Sequence, residues 1–316
     1  MTTRVHGTAM ALAATMFCGV LALVGCASAG APGAAPADSS AGPVQVPLLK
    51  TPHAATVMDT GQGAQLCLGM VLESYPPQCG GPEVIGWDWS DWDGTYEQVG
   101  TVRWGEYTLT GTYDAGEFAF TPQTVHPWDS EQANRVDGGA GLLLDTPCAP
   151  PEGGWRVHDA ARTTEQTMQQ TFELAQQMPG YTVSWVDRSL VPTAGAEATL
   201  EEQLAETAPY PELTIVNVKI VGDVEDAAEK LRAIWGGMLC VSEGEHTEAE
   251  LQAIGQELQT MLMSATSRGV LGISPDGMAG TVYVQVIHDD GSLQRELDAK
   301  YGAGLVHVDA ALIPAE

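Results

Sequence analysis

The chain is short of cations. Of 316 residues, 13 are Lys or Arg, four of them Lys, against 41 Asp or Glu, for a formal net charge of −28. Nucleic-acid affinity comes largely from Lys and Arg displacing counterions from phosphates, so a general nucleic-acid binder is excluded. An anionic membrane surface would repel the same chain, which leaves a covalent lipid or a buried apolar segment as the means of membrane attachment. The acidity suits solubility in salt or a cationic partner. Long apolar runs are also missing: after the first 25 residues no segment reaches the roughly 18 apolar residues that a membrane-crossing helix requires. Catalytic phrases are missing too. H-E-x-x-H, the phosphate loop and the dinucleotide fingerprint do not occur. Gly272-Ile273-Ser274-Pro275-Asp276 departs from the G-x-S-x-G nucleophile elbow, with Asp276 where the last glycine is needed, and its Pro-Asp-Gly reads as a hairpin turn.

One apolar run is present, from about Ala9 to Val24, with Arg4 ahead of it and no acid within it. Residues 1–25 read as a secretory signal. The run ends in Leu23-Val24-Gly25-Cys26, which resembles the lipobox of bacterial lipoproteins. The resemblance implies cleavage before Cys26 and a diacylglyceryl lipid on its sulfur. With two or more acyl chains on one residue the anchor is stable, where a single chain binds marginally. Residues 26–56, rich in Ala, Gly, Pro and Ser, cannot bury enough surface to offset their ordering entropy and read as a flexible tether.

Setting aside Cys18 with the signal and Cys26 with the lipid leaves Cys67, Cys79, Cys148 and Cys240, an even number in an oxidising location. Three connectivities exist. Cys67 with Cys79 and Cys148 with Cys240 is preferred, because the first pair flanks the Pro76-Pro77 turn and the second joins two parts of the remaining chain. On a chain-entropy argument the short loop contributes roughly 3 kcal/mol and the long one over 4. Zinc is disfavoured, since neither pair has C-x-x-C spacing and no histidine pair lies nearby.

The fold expected is α+β. Residues 57–127 read as a small antiparallel β-barrel or sandwich, an OB-like barrel being one form of it. Strands are expected at Gln65 to Leu72 and Val84 to Trp89, with a hairpin formed by the period-two segments Glu106 to Tyr113 and Glu117 to Thr121 around Asp114-Ala115-Gly116. A connection, 128–160, leads to an α+β domain, 161–316. Its helices are expected after a Thr163-x-x-Gln166 capping box, after Asp223, after a Thr247-x-x-Glu250 capping box and over Ser292 to Tyr301. From about 238 the order βαββαβ reads as ferredoxin-like.

Cys67-Leu68-Gly69, Ser74 through Pro82 (SYPPQCGGP), Gly86-Trp87-Asp88-Trp89, Pro151 through Arg156 (PEGGWR), Trp235 through Ser242 (WGGMLCVS) and Asp289 through Arg295 (DDGSLQR) resemble a group of uncharacterised actinobacterial exported proteins and lipoproteins. The resemblance implies export and brings no activity with it.

The densest chemistry lies in Trp87-Asp88-Trp89-Ser90-Asp91-Trp92-Asp93-Gly94. Indole faces of Trp87, Trp89 and Trp92 can stack on sugars or organic cations, and Asp91 and Asp93 can contribute oxygens to calcium. The competing reading has Trp87 and Trp89 on one strand face filling a small barrel, with the aspartates in a solvated turn. His288 beside Asp289 and Asp290 has the elements of an acid-base group, although a histidine at a strand end is more often a surface residue. No cofactor and no firm metal site is expected beyond the calcium option. The reading that follows is a lipid-anchored, monomeric, non-catalytic binding or interaction protein of the cell surface, whose partner is a surface protein, a glycan or a cationic ligand. The alternatives are a hydrolase or a metal-handling enzyme with a site assembled from distant residues, and an assembly factor marked by an exposed apolar patch.

Cys26→Ser is expected to leave the chain unprocessed or released from the membrane, as read by fractionation and intact mass. A correctly cleaved, fully membrane-bound variant would contradict the lipid anchor.

Overall fold

The computed structural model describes residues 47–72, 74–129, 144–192, 199, 208–263 and 269–315. The signal segment, Cys26 and the tether up to residue 46 lie outside the described residues. Residues 46–316 form one compact unit, mixed α+β, with fourteen strands and four α-helices among the described residues. No described helix is long and apolar enough to cross a membrane.

The first half is built around β6 (Val102–Asp114), 13 residues long. The alternation in Glu106 to Tyr113 is why it is a strand: Gly105, Tyr107, Leu109 and Gly111 are buried, while the residues between them are less so. β6 pairs antiparallel with β2 (Ala55–Asp59), and β2 with β3 (Ala64–Cys67). β3 meets β4 (Glu83–Val84), and β4 runs parallel to β7 (Ala119–Pro127). Since β7 pairs with β6 as the expected hairpin, the path returns on itself as a ring-like sheet. β5 (Glu97–Val99) joins β6 on one side, and β1 (Leu49–Lys50) lies between β6 and β14 (Ile313–Pro314). Gly111 sits where the β6–β7 register shifts. A Cβ there would run into the Thr121 carbonyl and the Phe120 ring, so the ring closes because this residue has no side chain.

Three boundaries differ from expectation. The ordered body begins before Thr56, because Leu49, 1% exposed, belongs to the ring core. β3 stops at Cys67 instead of running to Leu72, since the disulfide to Cys79 closes a loop at that point, Cα to Cα 5.7 Å. Val84 to Trp89 is not one strand: Gly86 turns the chain at φ +73°, and Asp88 caps a 3-10 turn at Trp89–Trp92 through the Ser90 N–H.

The second half contains two copies of one arrangement. α1 (Glu165–Gln176), β8 (Tyr181–Asp187), β9 (Ile215–Ile220), α2 (Val224–Arg232) and β10 (Met238–Glu243) form the first module. Here β9 is central, antiparallel to β8 and parallel to β10. α3 (Glu248–Met263), β11 (Val270–Asp276), β12 (Thr281–Val286), α4 (Ser292–Tyr301) and β13 (Val306–Ala310) repeat it, with β12 central, antiparallel to β11 and parallel to β13. The correspondence extends to side chains. Asp223 accepts the Asp226 N–H at the start of α2, and Asp289 accepts those of Leu293 and Gln294 at the start of α4. Ala227 and Leu231 are buried on α2 as Leu293 and Leu297 are on α4.

This overturns the ferredoxin-like order from 238. β10 is hydrogen-bonded into the first sheet and shares none with β11, β12 and β13. The string βαββαβ is present, but its first strand ends one αββαβ module and the rest is the next. The first helix is capped by Thr164, whose side chain accepts the Thr167 N–H, one residue later than the expected Thr163 box. The Thr247–Glu250 box forms reciprocally.

The two halves share a core. Ile287, just after β12, and Leu312, just after β13, pack with Leu49, Val57, Leu66, Tyr107 and Phe120 inside the ring. Strands β1 and β14 carry that contact into the sheet, while each αββαβ module keeps a hydrophobic cluster of its own.

Candidate interaction surface

The tryptophan-aspartate segment lies at the ring. Trp89 is 5% exposed and donates its indole N–H to Asp59 Oδ2 at 3.2 Å. Trp87 stacks on Trp92, centroids 5.3 Å apart, and both meet the buried Tyr107 ring near edge-on. The three indoles are thus brought together, with much of their face area in contact with one another and with Tyr107 and Tyr96. Asp91 and Asp93 are exposed, on and just after the 3-10 turn. Among the described residues no three His, Cys, Asp or Glu side chains converge as a metal site.

Asp59 is the participant that sequence reasoning missed, 30 residues from Trp89. Burial pushes its carboxyl pKa up, but the Gly61 and Gly63 N–H groups and the Trp89 indole outweigh this and hold it below the usual aspartate range.

Among the described residues the most exposed large apolar side chains lie in the loop between Cys67 and Cys79. Met70 is 82% exposed, Tyr75 74%, Leu72 51% and Val71 37%. The loop is held from within. The Leu72 N–H donates to the Gln78 carbonyl at 2.9 Å, the Ser74 N–H to the Leu72 carbonyl at 2.8 Å, and the Ser74 hydroxyl to the Pro76 carbonyl at 2.8 Å. Tyr75 rests edge-on against Trp104, and its hydroxyl donates to Glu97. Beneath lies a small core of Met58, Cys67 and Trp104 with Cys79. The disulfide and these bonds hold large apolar side chains out in water. Its signal in the sequence was Met70-Val71-Leu72 between two cysteines, read there as the end of a strand.

His288, Asp289 and Asp290 line a cleft of about 540 Å³ between the β6–β7 hairpin and the start of α4, with Tyr113 and Glu296. His288 Nδ1 is 3.0 Å from the Leu312 carbonyl, an acceptor, which places the proton on Nδ1. Asp289 accepts two α4 N–H groups, and Asp290 accepts that of Ser292. Both carboxylates thus act as helix caps.

The second disulfide joins Cys148 to Cys240, Cα to Cα 5.7 Å. It ties the chain ahead of α1 to β10, beside Thr146, whose N–H and hydroxyl both bond Asp187 at the end of β8. Two disulfides indicate an oxidising environment. No family model matches the chain, and no curated protein matches it.

The lowered pKa of Asp59 predicts an acid-dependent loss of stability. A depressed carboxyl pKa stabilises the fold above the unfolded value near 3.8, and this is lost as pH falls through the folded value. Asp59→Asn is expected to lower stability by roughly 1 kcal/mol at pH 7, with the gap to wild type closing below both pKa values. Urea midpoints of both proteins over a pH series falling from 7 through 3.8 and below check this, and a gap that does not narrow as pH falls contradicts it.

Proposed function

We propose that the protein is an extracytoplasmic, lipid-anchored interaction module, held to the membrane through Cys26 and binding a protein partner through the apolar loop closed by Cys67 and Cys79. In this reading the ring-like sheet is the small barrel on which the loop is mounted. The observation that carries it is the joint exposure of Met70, Leu72 and Tyr75 on a loop with internal bonds and a disulfide. Contiguous exposed apolar side chains mark interaction sites, and burying each large one contributes about 1.5–3 kcal/mol. A loop already ordered loses little entropy on binding. The chain's negative charge favours a partner whose apolar cleft has a basic rim.

The Trp87, Trp89 and Trp92 cluster supports this reading as scaffold, since its contacts stiffen the ring that presents the loop. A second reading has the exposed Asp91 and Asp93 bind calcium, or a glycan together with the indoles.

A photo-crosslinking residue placed at Leu72 in cells is expected to give one dominant protein adduct. Combining Met70→Ser with Tyr75→Ser should abolish that adduct while leaving the unfolding temperature within about 2 °C of the parent, because exposed side chains contribute little to stability. Adducts confined to lipid would make the loop a membrane contact. Adducts unchanged by the double substitution would place the interface elsewhere.

A further inference from the structure

A pocket of about 280 Å³ opens at the free edge of β10, between α2 and the segment pinned by the Cys148–Cys240 bridge. Its lining includes Arg156, His158 and Arg232 together with Trp155 and Ala228, and no acidic residue. In a chain with 41 acids and 13 bases that composition is unusual. Neither arginine has a carboxylate partner: the ion pairs among the described residues are Arg162–Asp159, Lys230–Asp226 and Lys300–Glu257. Asp159, next to His158, is therefore committed to Arg162. Arg232 is half-buried, and its guanidinium donates to the Gly237 and Leu239 carbonyls. Those bonds orient the group without neutralising it, and burial lowers its pKa. Arg156 donates to the Glu152 carbonyl at 2.6 Å.

The second module explains why the pocket is open. On α4, Gln294 reaches the edge of β13, where its Nε2 donates to the Val306 carbonyl and its Oε1 accepts the Val308 N–H, at 2.9 and 2.8 Å. Five residues after the capping Asp289 stands Gln294, and five after the capping Asp223 stands Ala228. In the first module the matching carbonyl, that of Leu239, is held by Arg232 instead, and the small Ala228 side chain leaves the space beside that guanidinium open. Arg156, His158 and Arg232 are among the residues that line the open space.

We infer that this pocket binds the oxyanion of a small organic molecule, with Arg232 and Arg156 as its charge partners and Trp155 against its apolar body. Guanidinium presents paired donors that match carboxylate and phosphate oxygens. The volume is near the lower limit for ligand pockets, which restricts the ligand to a small one. Cys148, bridged to Cys240, forms part of its wall.

The test is calorimetric titration of the full-length chain in mild detergent with benzoate and with phenyl phosphate, using benzamide as the neutral comparator. At least one anion should bind with 1:1 stoichiometry and at least tenfold more tightly than benzamide, and the stronger of the two identifies the site as carboxylate- or phosphate-selective. Arg156→Gln should weaken that binding at least tenfold. Ala228→Gln should abolish it by placing a larger side chain in the pocket, with the unfolding temperature within about 2 °C of the parent, because the site is open to solvent. Anions that bind no better than benzamide overturn the inference, as does full affinity in either variant.

Discussion

Strand β6 is the constraint on which the rest of the molecule depends. β1, β2, β5 and β7 all hydrogen-bond to it. Its small buried residues Gly105 and Gly111 let neighbouring backbone approach, and Tyr107, fully buried, anchors the aromatic cluster. Tyr107 also bonds Thr95 through its hydroxyl, 3.1 Å from Thr95 Oγ1. The ring it organises is completed by Ile287 and Leu312 from the other end of the chain. A small β-structure buries a limited fraction of its surface. Sharing a core with the second module compensates for that, and the disulfides add cross-links where the chain has little secondary structure.

The charge distribution follows from the same economy of cations. Most carboxylates among the described residues are exposed, and several cap helices or turns, as Asp223, Asp289 and Asp88 do. The few arginines are placed with purpose. Arg162 clamps Asp159 and the carbonyls at the end of α2, while Arg232 secures the turn from α2 into β10. The result is an acidic body whose notable features are an apolar loop at one place and a cationic pocket at another.

Much of this was legible in the sequence. Period-two alternation located β6 and its hairpin, Asp223 and the Thr247–Glu250 box located two helix starts, and the preferred cysteine pairing is the one formed. Element type is set locally, by caps and alternation. Pairing between elements is not, which is why β10 was assigned to the wrong sheet: a strand following a helix reads alike whether it ends one module or begins another. The strand expected through Leu72 failed for a related reason, since alternation cannot show that a disulfide ends the ladder at Cys67. Core was one of the two readings open for Trp89, but its bond to Asp59 was not legible, because nothing in either segment marks a partner 30 residues away. Arg232 and Arg156 carried no signal until the fold set them at one pocket.

Native-state hydrogen exchange tests most directly whether the ring and the second module are one cooperative body. The Leu312 N–H bonds the Ile287 carbonyl, and the Thr51 N–H bonds the Leu109 carbonyl on β6, at 2.8 and 3.0 Å. If the body opens as a whole, the amides of Leu109, Thr51, Ile287 and Leu312 exchange together in the slowest class, at the free energy of global unfolding. Exchange at Ile287 and Leu312 that is orders of magnitude faster than at Leu109 would show the ring closing without them and contradict the shared core.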